Sequence, residues 1–489
     1  MAEHEPTATL GHAKVSLTGV LTQSLGFMGP VFSVATLLPL VVGLSATGRG
    51  AGVATPIAIL IAGVGMLGAG WIIAEYARRI HLCGSLYEYI NDGAGARAGA
   101  VAGWVYYGAM LVLFTATILA VGGFTTDFLE SALSLTVPWW VLSIGYLALV
   151  MAVVVVGVQI SIRAQLALVL ISAAVVLGFS ILIIAKGGGG GDSLSLTPFD
   201  VTAVGGLNIM YGVLYGINMF IGFESAANLA EETDNPKRDV PRAVMLSLVI
   251  VGAYFLVTAY AQAVGFGLDA EAWKASGFPL QALASGSEFG SAWFGHLTQI
   301  IVILDVLAVC IGVGVAGTRG MLSMARAGRL PAELALVHQK YRTPVGAAWV
   351  MGIVGLLGIL LTWIGDGIFS RETGTPGVLV PQWVPAFGWM AGFGGTGLAL
   401  MYLAICLVGV RGLWGHVSKP KLVVAATAGS IVSLGAVFGS IYKAVSPVNT
   451  VPWALGVWIV VGVVYAVVAV KDDDKPAATL PGAPIEETA

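Results

Sequence analysis

The sequence is short of charged residues, which make up only 10% of its 489 positions. Soluble domains carry about 25% charged side chains. Hydrophobic residues account for 57% of the chain, and they are gathered in long runs separated by short loops. The deficit of charge therefore excludes a soluble protein and predicts an all-α membrane protein that lies in a lipid bilayer.

Cysteines and catalytic motifs are also scarce. The three cysteines, Cys83, Cys310 and Cys406, are too far apart for a metal cluster, and their odd number argues against a disulfide framework. The sequence contains neither HExxH nor GxSxG, and the GxGxxG match at residues 312–317 lies inside an apolar run with no preceding strand. We therefore expect no enzyme activity, no metal and no cofactor.

Twelve apolar stretches are long enough to cross a bilayer, which takes about 20 helical residues. The N-terminal sequence has no signal-peptide cleavage pattern, so we expect the first stretch to remain as an anchor. Residues 1–16 are then a cytoplasmic segment, residues 17–470 form the membrane domain, and residues 471–489 form a disordered cytoplasmic tail. The predicted spans are 17–44, 53–77, 99–123, 137–157, 164–185, 206–230, 241–267, 293–319, 345–365, 384–410, 421–443 and 450–470.

Lys and Arg residues concentrate on one side of these spans. With the N-terminus placed inside the cell, 18 of the 23 Lys and Arg residues fall in cytoplasmic loops or flanks. Cytoplasmic loops of membrane proteins are enriched in these residues, and a missed or additional span would disturb the alternation. The distribution supports twelve spans with both termini cytoplasmic, in the plasma (inner) membrane.

The first and sixth spans contain residues that interrupt helices. Gly26, Gly29 and Pro30 lie near the middle of the first span, and Gly216 and Gly222 lie in the sixth. Such residues also serve close packing or a kink in membrane helices. Interrupted segments at corresponding positions of two halves indicate a transporter binding site. The offset of five spans predicts two inverted repeats of five helices, with two helices appended.

Three separate segments resemble the amino acid–polyamine–organocation (APC) superfamily of permeases. GFESAANLAEETDNPKRDVPRA, residues 222–243, is similar to the sixth-helix signature of that family. Residues 74–104 resemble its block across helices two and three, and residues 318–347 resemble its loop after helix eight. The resemblance implies a LeuT-type fold that works by alternating access. Its repeats would cover residues 17–185 and 206–410, with helices eleven and twelve at 421–470.

The resemblance also implies where a substrate binds. In such transporters the carboxylate of the substrate meets exposed amides of an unwound first helix, and its amine meets carbonyl groups of an unwound sixth helix. A half-helix carries about +0.5 charge at its N-terminus and about −0.5 at its C-terminus, so a zwitterion fits between them. The corresponding residues here are Gly26, Phe27, Met28, Gly29 and Pro30 in the first span and Asn218, Phe220, Ile221, Gly222 and Phe223 in the sixth.

The sequence departs from the family pattern at three points. The first span has Gly-Phe-Met-Gly-Pro where many members have Gly-Ser-Gly or Gly-Thr-Gly, and Pro30 removes one amide donor. Asn218 stands at the position of a bulky aromatic gate, so Phe220 or Phe223 would gate instead, or the gate would be looser. The fifth span lacks the Lys that occupies a cation position in many members, and a sodium ion or water could take that place.

Ionisable residues within or at the ends of the spans suggest functions, because a charged group at the bilayer centre costs at least about 2.5 kcal/mol. In related exchangers the acid matching Glu224 is linked to proton sensing, so we expect Glu224 to couple protons; alternatively, it only ties unwound backbone together. Asp305 could take part in coupling, coordinate a cation, pair with a substrate amine, or hydrogen-bond between helices. Glu75 can pair with Arg79 one helical turn away, as a gating or structural pair.

These observations predict a secondary active transporter that moves an amino acid across the plasma membrane and is coupled to protons, with sodium as the alternative ion. Its expected partners are a small-molecule substrate and the lipid bilayer, not nucleic acid, and the oligomeric state is left open. A carrier of polyamines or other organic amines is the alternative within the superfamily, since such substrates need no amide at Pro30. A sensor that binds without transporting is a rival from another class.

Overall fold

The computed structural model describes residues 10, 15–44, 49–189, 194–365, 371, 379–442, 444 and 446–470. Within these residues the chain is helical apart from turns, loops and two isolated β-bridges, and twelve segments are long and apolar enough to span a membrane, as predicted. The predicted disordered tail and most of the N-terminal segment lie outside the described residues. The spans are Leu17–Thr36, Gly52–Ala77, Ala96–Leu133, Trp139–Val156, Val158–Ala185, Gly206–Glu232, Pro236–Gly265, Ala292–Arg326, Val345–Ile364, Trp383–Gly412, Lys419–Ile441 and Val448–Ala469.

Proline begins several of these helices. Pro56, Pro236, Pro420 and Pro452 each lie in the first turn of a span. Proline is tolerated there because the first N–H groups of a helix have no partner within it. Shorter helices connect the spans, and their bounds are Leu38–Val42, Leu86–Ala94, Ala270–Ala275 and Pro279–Ser285.

The spans differ in how deeply the protein buries them. In the most apolar 18-residue window of each span, 83% of the residues are buried in the eighth span, 78% in the first and 72% in the third. The corresponding shares are 22% in the twelfth and 28% in the fourth, whose apolar surfaces remain for lipid. The first, third and eighth spans therefore form the centre of the bundle.

The first span is broken at one residue. Gly29 separates half-helix 1a (Leu17–Met28) from half-helix 1b (Pro30–Thr36) and has a φ angle of +54°, which favours glycine. A Cβ atom at Gly29 would lie 2.3 Å from Cγ2 of Val309 in the eighth span, so the position is also closed to larger residues. The break predicted from Gly29 and Pro30 is confirmed.

The sixth span is broken over a longer stretch. Half-helix 6a (Gly206–Asn218) is followed by a turn. A 3-10 helix, here called half-helix 6b (Phe223–Glu232), begins directly after Gly222, and Gly222 has a φ angle of +111°. The sixth span is thus interrupted where the sequence predicted, five spans after the first break.

The two faces of the bundle can be named from the first span. The face at which this span begins is called the N-terminal face, and the face at which it ends is called the opposite face. On the N-terminal face the start of the first span meets the end of the sixth, because Val15 N–H donates to Glu232 O (2.9 Å) and Asp234 N–H donates to Val15 O (3.1 Å). The two breaks lie between the two faces.

Candidate substrate-binding and coupling site

A buried carboxylate caps half-helix 1b. Asp305 of the eighth span is fully buried, and its Oδ2 accepts hydrogen bonds from the backbone N–H groups of Val31 (3.0 Å) and Phe32 (2.8 Å). Its Oδ1 accepts a hydrogen bond from Ser172 Oγ of the fifth span (2.7 Å). Asp305 therefore joins three spans and lies where the partial positive charge of a helix N-terminus attracts an anion.

Every backbone N–H group at the first break is already satisfied. Gly29 N–H donates to Leu25 O (3.1 Å), Pro30 has no N–H, and Ser33 N–H donates to Gly29 O (2.8 Å). The N–H groups of residues 26–28 lie within half-helix 1a, where they bond to carbonyl groups four residues earlier. The amide donors expected at residues 26–29 are therefore not free for a substrate carboxylate in this conformation.

Carbonyl groups are freed at the same break. In a continuous helix Gly26 O would accept from residue 30 and Phe27 O from residue 31. Pro30 has no N–H, and the N–H of Val31 points to Asp305. The C-terminal end of half-helix 1a thus presents acceptors, which suit an ammonium group.

The sixth break presents acceptors as well. Phe220 N–H donates to Ile217 O (3.0 Å) and Ile221 N–H donates to Asn218 O (3.3 Å), which closes the turn. Among the described residues no backbone donor bonds the carbonyl groups of Met219, Phe220 and Ile221. The buried Oδ1 of Asn218 also has no hydrogen-bond partner there.

Glu224 lies at the start of half-helix 6b and is held by two tyrosines. It is fully buried; its Oε1 accepts from Tyr106 Oη of the third span (3.1 Å) and its Oε2 from Tyr402 Oη of the tenth span (2.6 Å). Tyr402 Oη in turn accepts from Gly222 N–H (3.3 Å). Glu224 therefore ties the unwound backbone to two neighbouring spans, and the geometry also suits a group that exchanges a proton.

The two breaks are directly linked. Ser24 Oγ donates to Phe223 O (2.7 Å) and accepts from Ala226 N–H (3.2 Å). A Cβ atom at Gly222 would lie 2.5 Å from the Phe27 ring, so the two broken segments are in close contact. The two broken segments therefore pack directly against each other through short polar and steric contacts.

A glutamine pair lies beside the first break and joins Gln23 of half-helix 1a to Gln165 of the fifth span, which lacks the Lys of many family members. Gln165 Nε2 donates to Gln23 Oε1 (3.2 Å), and Gln23 Nε2 donates to Gly312 O (2.8 Å). Gln165 Oε1 is buried and has no hydrogen-bond partner among the described residues, and a Cβ atom at Gly26 would lie 2.2 Å from it. A neutral amide thus stands next to the first break.

The two predicted aromatic gates lie in different surroundings. Phe220 packs edge-on against Phe255 (5.4 Å between centroids) and faces Gly63 of the second span, so in this conformation it is buried between the second and seventh spans. Phe223 packs against Tyr402 (5.2 Å between centroids), beside the Glu224 network. Phe223 is the one of the two that touches the candidate site.

Glu75 forms a different ion pair from the predicted one. Its carboxylate lies 3.4 Å from Nε of Arg78, three residues along the helix, and not beside Arg79. Arg78 is 53% exposed and Glu75 18% exposed at their side chains. Exposed pairs of this kind contribute little stability, so Glu75 and Arg78 do not by themselves close the N-terminal face.

A buried ion pair that the sequence analysis missed closes the N-terminal face. Arg319 of the eighth span donates through Nε (2.5 Å) and Nη2 (3.2 Å) to the two carboxylate oxygens of Glu232, and both side chains are almost fully buried. A second pair joins Arg326 Nη1 to Glu231 Oε2 (2.8 Å) at a more exposed position. Glu231 Oε1 also accepts from Cys83 N–H (3.0 Å), which ties in the loop after the second span.

A further buried carboxyl group lies outside the spans on this face. Ser323 Oγ donates to Glu88 Oε1 (2.6 Å), and Glu88 belongs to the short helix after the second span. Burial raises the pKa of the Glu88 carboxyl from its ordinary value of 4.5 to about 7. Nearby Glu231 raises this pKa further, whereas Ser323 and Arg329 lower it.

A cavity of about 240 Å³ lies on the opposite face. It includes Thr36, at the end of half-helix 1b, and Val302, one turn before Asp305. A smaller cavity of about 150 Å³ lies on the N-terminal face between the first and fifth spans. The larger cavity is lined by Thr36, Phe124, Asp127, Gln281, Thr298 and Gln299, among others.

Sequence reasoning located both breaks and the two carboxylates but missed what holds them. Tyr106 and Tyr402 lie in apolar runs, and Ser172 is one of several small or neutral polar residues of the fifth span, so no local pattern marks them. The Lys-free fifth span drew attention to the position beside the first break, but Gln165 itself was not identified. The local sequence also gave no signal for the ion pairs of Glu231 and Glu232, because their partners, Arg326 and Arg319, belong to the eighth span.

Known proteins resemble this chain over most of its length. The family model for amino acid permeases matches residues 25–411. The branched-chain amino acid permease BcaP of Bacillus subtilis is 26% identical over 332 residues, which are 64% of this chain and 70% of BcaP. An uncharacterized transporter of Mycobacterium tuberculosis strain H37Rv is 25% identical over 316 residues, which are 60% of this chain and 64% of that protein.

Solved structures share the fold. The crystal structure of MhsT in complex with L-phenylalanine aligns with a TM-score of 0.52 at 13% identity, and covers 90% of this chain and 98% of MhsT. A manganese transporter of Eremococcus coleocola aligns with a TM-score of 0.53 at 14% identity, and covers 91% of this chain and 94% of that chain. These neighbours are LeuT-fold transporters, so the predicted fold is confirmed.

The broken first and sixth spans, the buried carboxylates beside them and the match over residues 25–411 agree with one another. The protein is a multi-pass membrane transporter and not an enzyme. The chain belongs to the amino acid permease family.

Proposed function

We propose that the protein is a secondary active transporter that carries a substrate with an amine group across the plasma membrane by alternating access. The observation that carries the proposal is the pair of linked breaks, where the carbonyl groups of Gly26, Phe27 and residues 219–221 accept no backbone hydrogen bond among the described residues and so would suit an ammonium group. The relative BcaP is named a branched-chain amino acid permease, so the comparison suggests an amino acid as one candidate substrate.

Alternating access fits the two faces of the bundle. The pair of Arg319 and Glu232 closes the N-terminal face, while the 240 Å³ cavity lies on the opposite face. If the N-terminus is cytoplasmic, as the Lys and Arg distribution predicts, this conformation is closed on the cytoplasmic side and has its larger cavity on the outer side. Transport would then require the buried pair to separate.

Protons are the proposed coupling ion, and Glu224 is the proposed carrier. Tyr106 and Tyr402 each donate to one oxygen of the carboxylate, an arrangement that matches its ionised form. A proton on Oε2 would occupy the position of the Tyr402 hydroxyl hydrogen, and Tyr402 also bonds the unwound backbone at Gly222. Proton uptake would therefore loosen the sixth break, which is the part of the site that binds the amine.

Uptake into proteoliposomes tests this proposal. Labelled amino acids and amines are offered in sodium-free buffer, with and without an inward proton gradient. We expect net accumulation that rises with the gradient. Binding without flux would indicate a sensor and refute transport, and accumulation that requires sodium would refute proton coupling and direct attention to the cation position beside Gln165.

A second candidate, an organic amine without a carboxylate, is favoured by one observation. The backbone amides that would receive a substrate carboxylate at the first break are bonded to Asp305. This observation separates the two substrate classes.

A further inference from the structure

We propose that Asp305 occupies the position a substrate carboxylate would take, so that the transporter selects organic amines without an α-carboxylate over the corresponding amino acids. The inference rests on the proposed transport function and specifies the substrate class of the same site. It follows from the hydrogen bonds at the first break, from the acceptors around both breaks, and from the charges of the groups that line them.

The helix N-terminus at the first break has no donor left. Half-helix 1b offers two N–H groups beyond Pro30, those of Val31 and Phe32, and both donate to Oδ2 of Asp305. The next N–H group, that of Ser33, returns to Gly29 O. A second carboxylate at this point would meet an anion that already neutralises the helix end.

Displacing Asp305 would be unfavourable. An incoming carboxylate would have to break both amide bonds, and the Asp305 carboxylate would then keep only the bond from Ser172 while remaining fully buried. Its hydrogen-bond partners among the described residues are two backbone amides and one hydroxyl, so no Lys or Arg is present to compensate it. A buried charge that loses its hydrogen-bond donors is destabilised by its full desolvation free energy.

The remaining polar groups suit a cation. Glu224 brings a second carboxylate, and its donors are the hydroxyl groups of Tyr106 and Tyr402. The carbonyl groups left unbonded at the two breaks are also acceptors. The site therefore offers an ammonium group several acceptors, while the two backbone amides that could receive a carboxylate are already bonded to Asp305.

The sequence contributes to this arrangement at two distant positions. Pro30 removes the first N–H of half-helix 1b, and Asp305, 274 residues from Val31, takes the next two. Together they cover the end of half-helix 1b, which in a related transporter with free amides would receive the substrate's carboxylate.

Matched pairs of an amino acid and its decarboxylated amine test the inference. Leucine and 3-methylbutylamine, phenylalanine and 2-phenylethylamine, and ornithine and putrescine differ within each pair only by the carboxylate. Their competition for uptake, and their binding to the purified full-length protein, are measured in sodium-free buffer. For any pair of which at least one member binds or is taken up, we expect the amine to bind at least tenfold more tightly than the amino acid.

The variant Asp305→Ala sharpens the test because it frees the amides of Val31 and Phe32. We expect it to shift the ratio of amino acid to amine affinity at least tenfold toward the amino acid. Ser180→Ala is the matched control, since Ser180 lies on the same span as Ser172 but bonds only the backbone carbonyl of Val176. The control should leave the ratio unchanged.

The outcomes separate the inference from the function on which it rests. Wild-type protein that transports an amino acid as well as or better than its amine overturns the inference and leaves the transporter intact; this result does not depend on any variant folding. A failure to accumulate any member of the three pairs, or their accumulation without a response to the proton gradient, counts against the proposed function itself. A folded Asp305→Ala protein with an unchanged ratio overturns the role of Asp305.

Discussion

Asp305 and Glu224 are buried carboxylates beside the two breaks, but different groups hold them. Asp305 accepts from two backbone amides and one hydroxyl, whereas Glu224 accepts from two tyrosine hydroxyls. Backbone amides at a helix end keep their position and their hydrogen, so they fix an anion there. Hydroxyl groups can rotate and can accept as well as donate, so they tolerate a proton on the carboxylate.

The same distinction extends to the N-terminal face. Glu232 is held by the permanently charged guanidinium group of Arg319, whereas Glu88 is held by the hydroxyl of Ser323. The molecule thus contains two carboxylates held mainly by N–H donors, Asp305 and Glu232, and two held by hydroxyl groups, Glu224 and Glu88. The predictions that follow test this division, beginning with the largest expected effect.

Removing Arg319 should be the most damaging change, because it leaves the buried Glu232 uncompensated. We expect Arg319→Ala to lower the free energy of unfolding by about 3–5 kcal/mol. Arg326→Ala, which breaks the more exposed pair, should cost about 0.2–1 kcal/mol. Unfolding in detergent measures both, and maleimide labelling of Cys83, whose thiol donates to Arg319 O (3.2 Å), reports opening of the N-terminal face. Equal costs for the two variants would contradict a fixed, buried role for Glu232.

Replacing Glu224, the proposed proton carrier, should greatly weaken coupling while leaving the fold intact. We expect Glu224→Gln to lose at least about tenfold in gradient-driven uptake, which corresponds to about 1.4 kcal/mol, because its amide cannot exchange a proton. Uptake with and without the gradient measures the effect, and exchange of internal for external substrate should persist. Glu130→Gln, an exposed carboxylate at the end of the third span, is the control. Full gradient dependence in Glu224→Gln would assign Glu224 a structural role alone.

The two tyrosines should contribute unequally. Tyr402 donates over 2.6 Å and also bonds the Gly222 amide, whereas Tyr106 donates over 3.1 Å. A hydrogen bond to a charged group contributes about 1.5–3 kcal/mol, so we expect Tyr402→Phe to reduce gradient-driven uptake several-fold more than Tyr106→Phe. Comparison of the two variants at matched expression is the measurement. A larger effect of Tyr106→Phe would show that the hydrogen bond between Tyr402 and the Gly222 amide does not determine gradient-driven uptake.

Glu88 should give the smallest effect, seen only in the pH dependence of stability. Its pKa in the folded protein, about 7, is raised above the ordinary 4.5 by burial. The protonated form therefore stabilises the fold, and this contribution is complete below about pH 4.5 and is lost as the pH rises through about 7. Between pH 5 and pH 8 the thermal unfolding temperature should fall less with rising pH in Glu88→Gln than in the wild type. Glu333→Gln, an exposed residue of the N-terminal face, should follow the wild type, and parallel curves for all three would refute the prediction.

The sequence alone determined the elements whose causes are local. Hydropathy over about 20 residues predicted twelve spans, and Gly29, Pro30 and Gly222 predicted both breaks, because proline and left-handed glycine act on the backbone where they stand. Glu224 and Asp305 were found for the same reason, since a carboxylate inside an apolar run is conspicuous. The resemblance to the permease family supplied the arrangement of the repeats.

Only the tertiary structure decided what these groups do. The partners of Asp305 lie 133 and 274 residues away in the sequence, and those of Glu224 lie 118 and 178 residues away. Ser172, Tyr106 and Tyr402 are inconspicuous in their own spans, and their significance comes from packing against a distant helix. The chemistry of a buried carboxylate depends on which donors surround it, and helix packing brings those donors together from spans that are far apart in the chain.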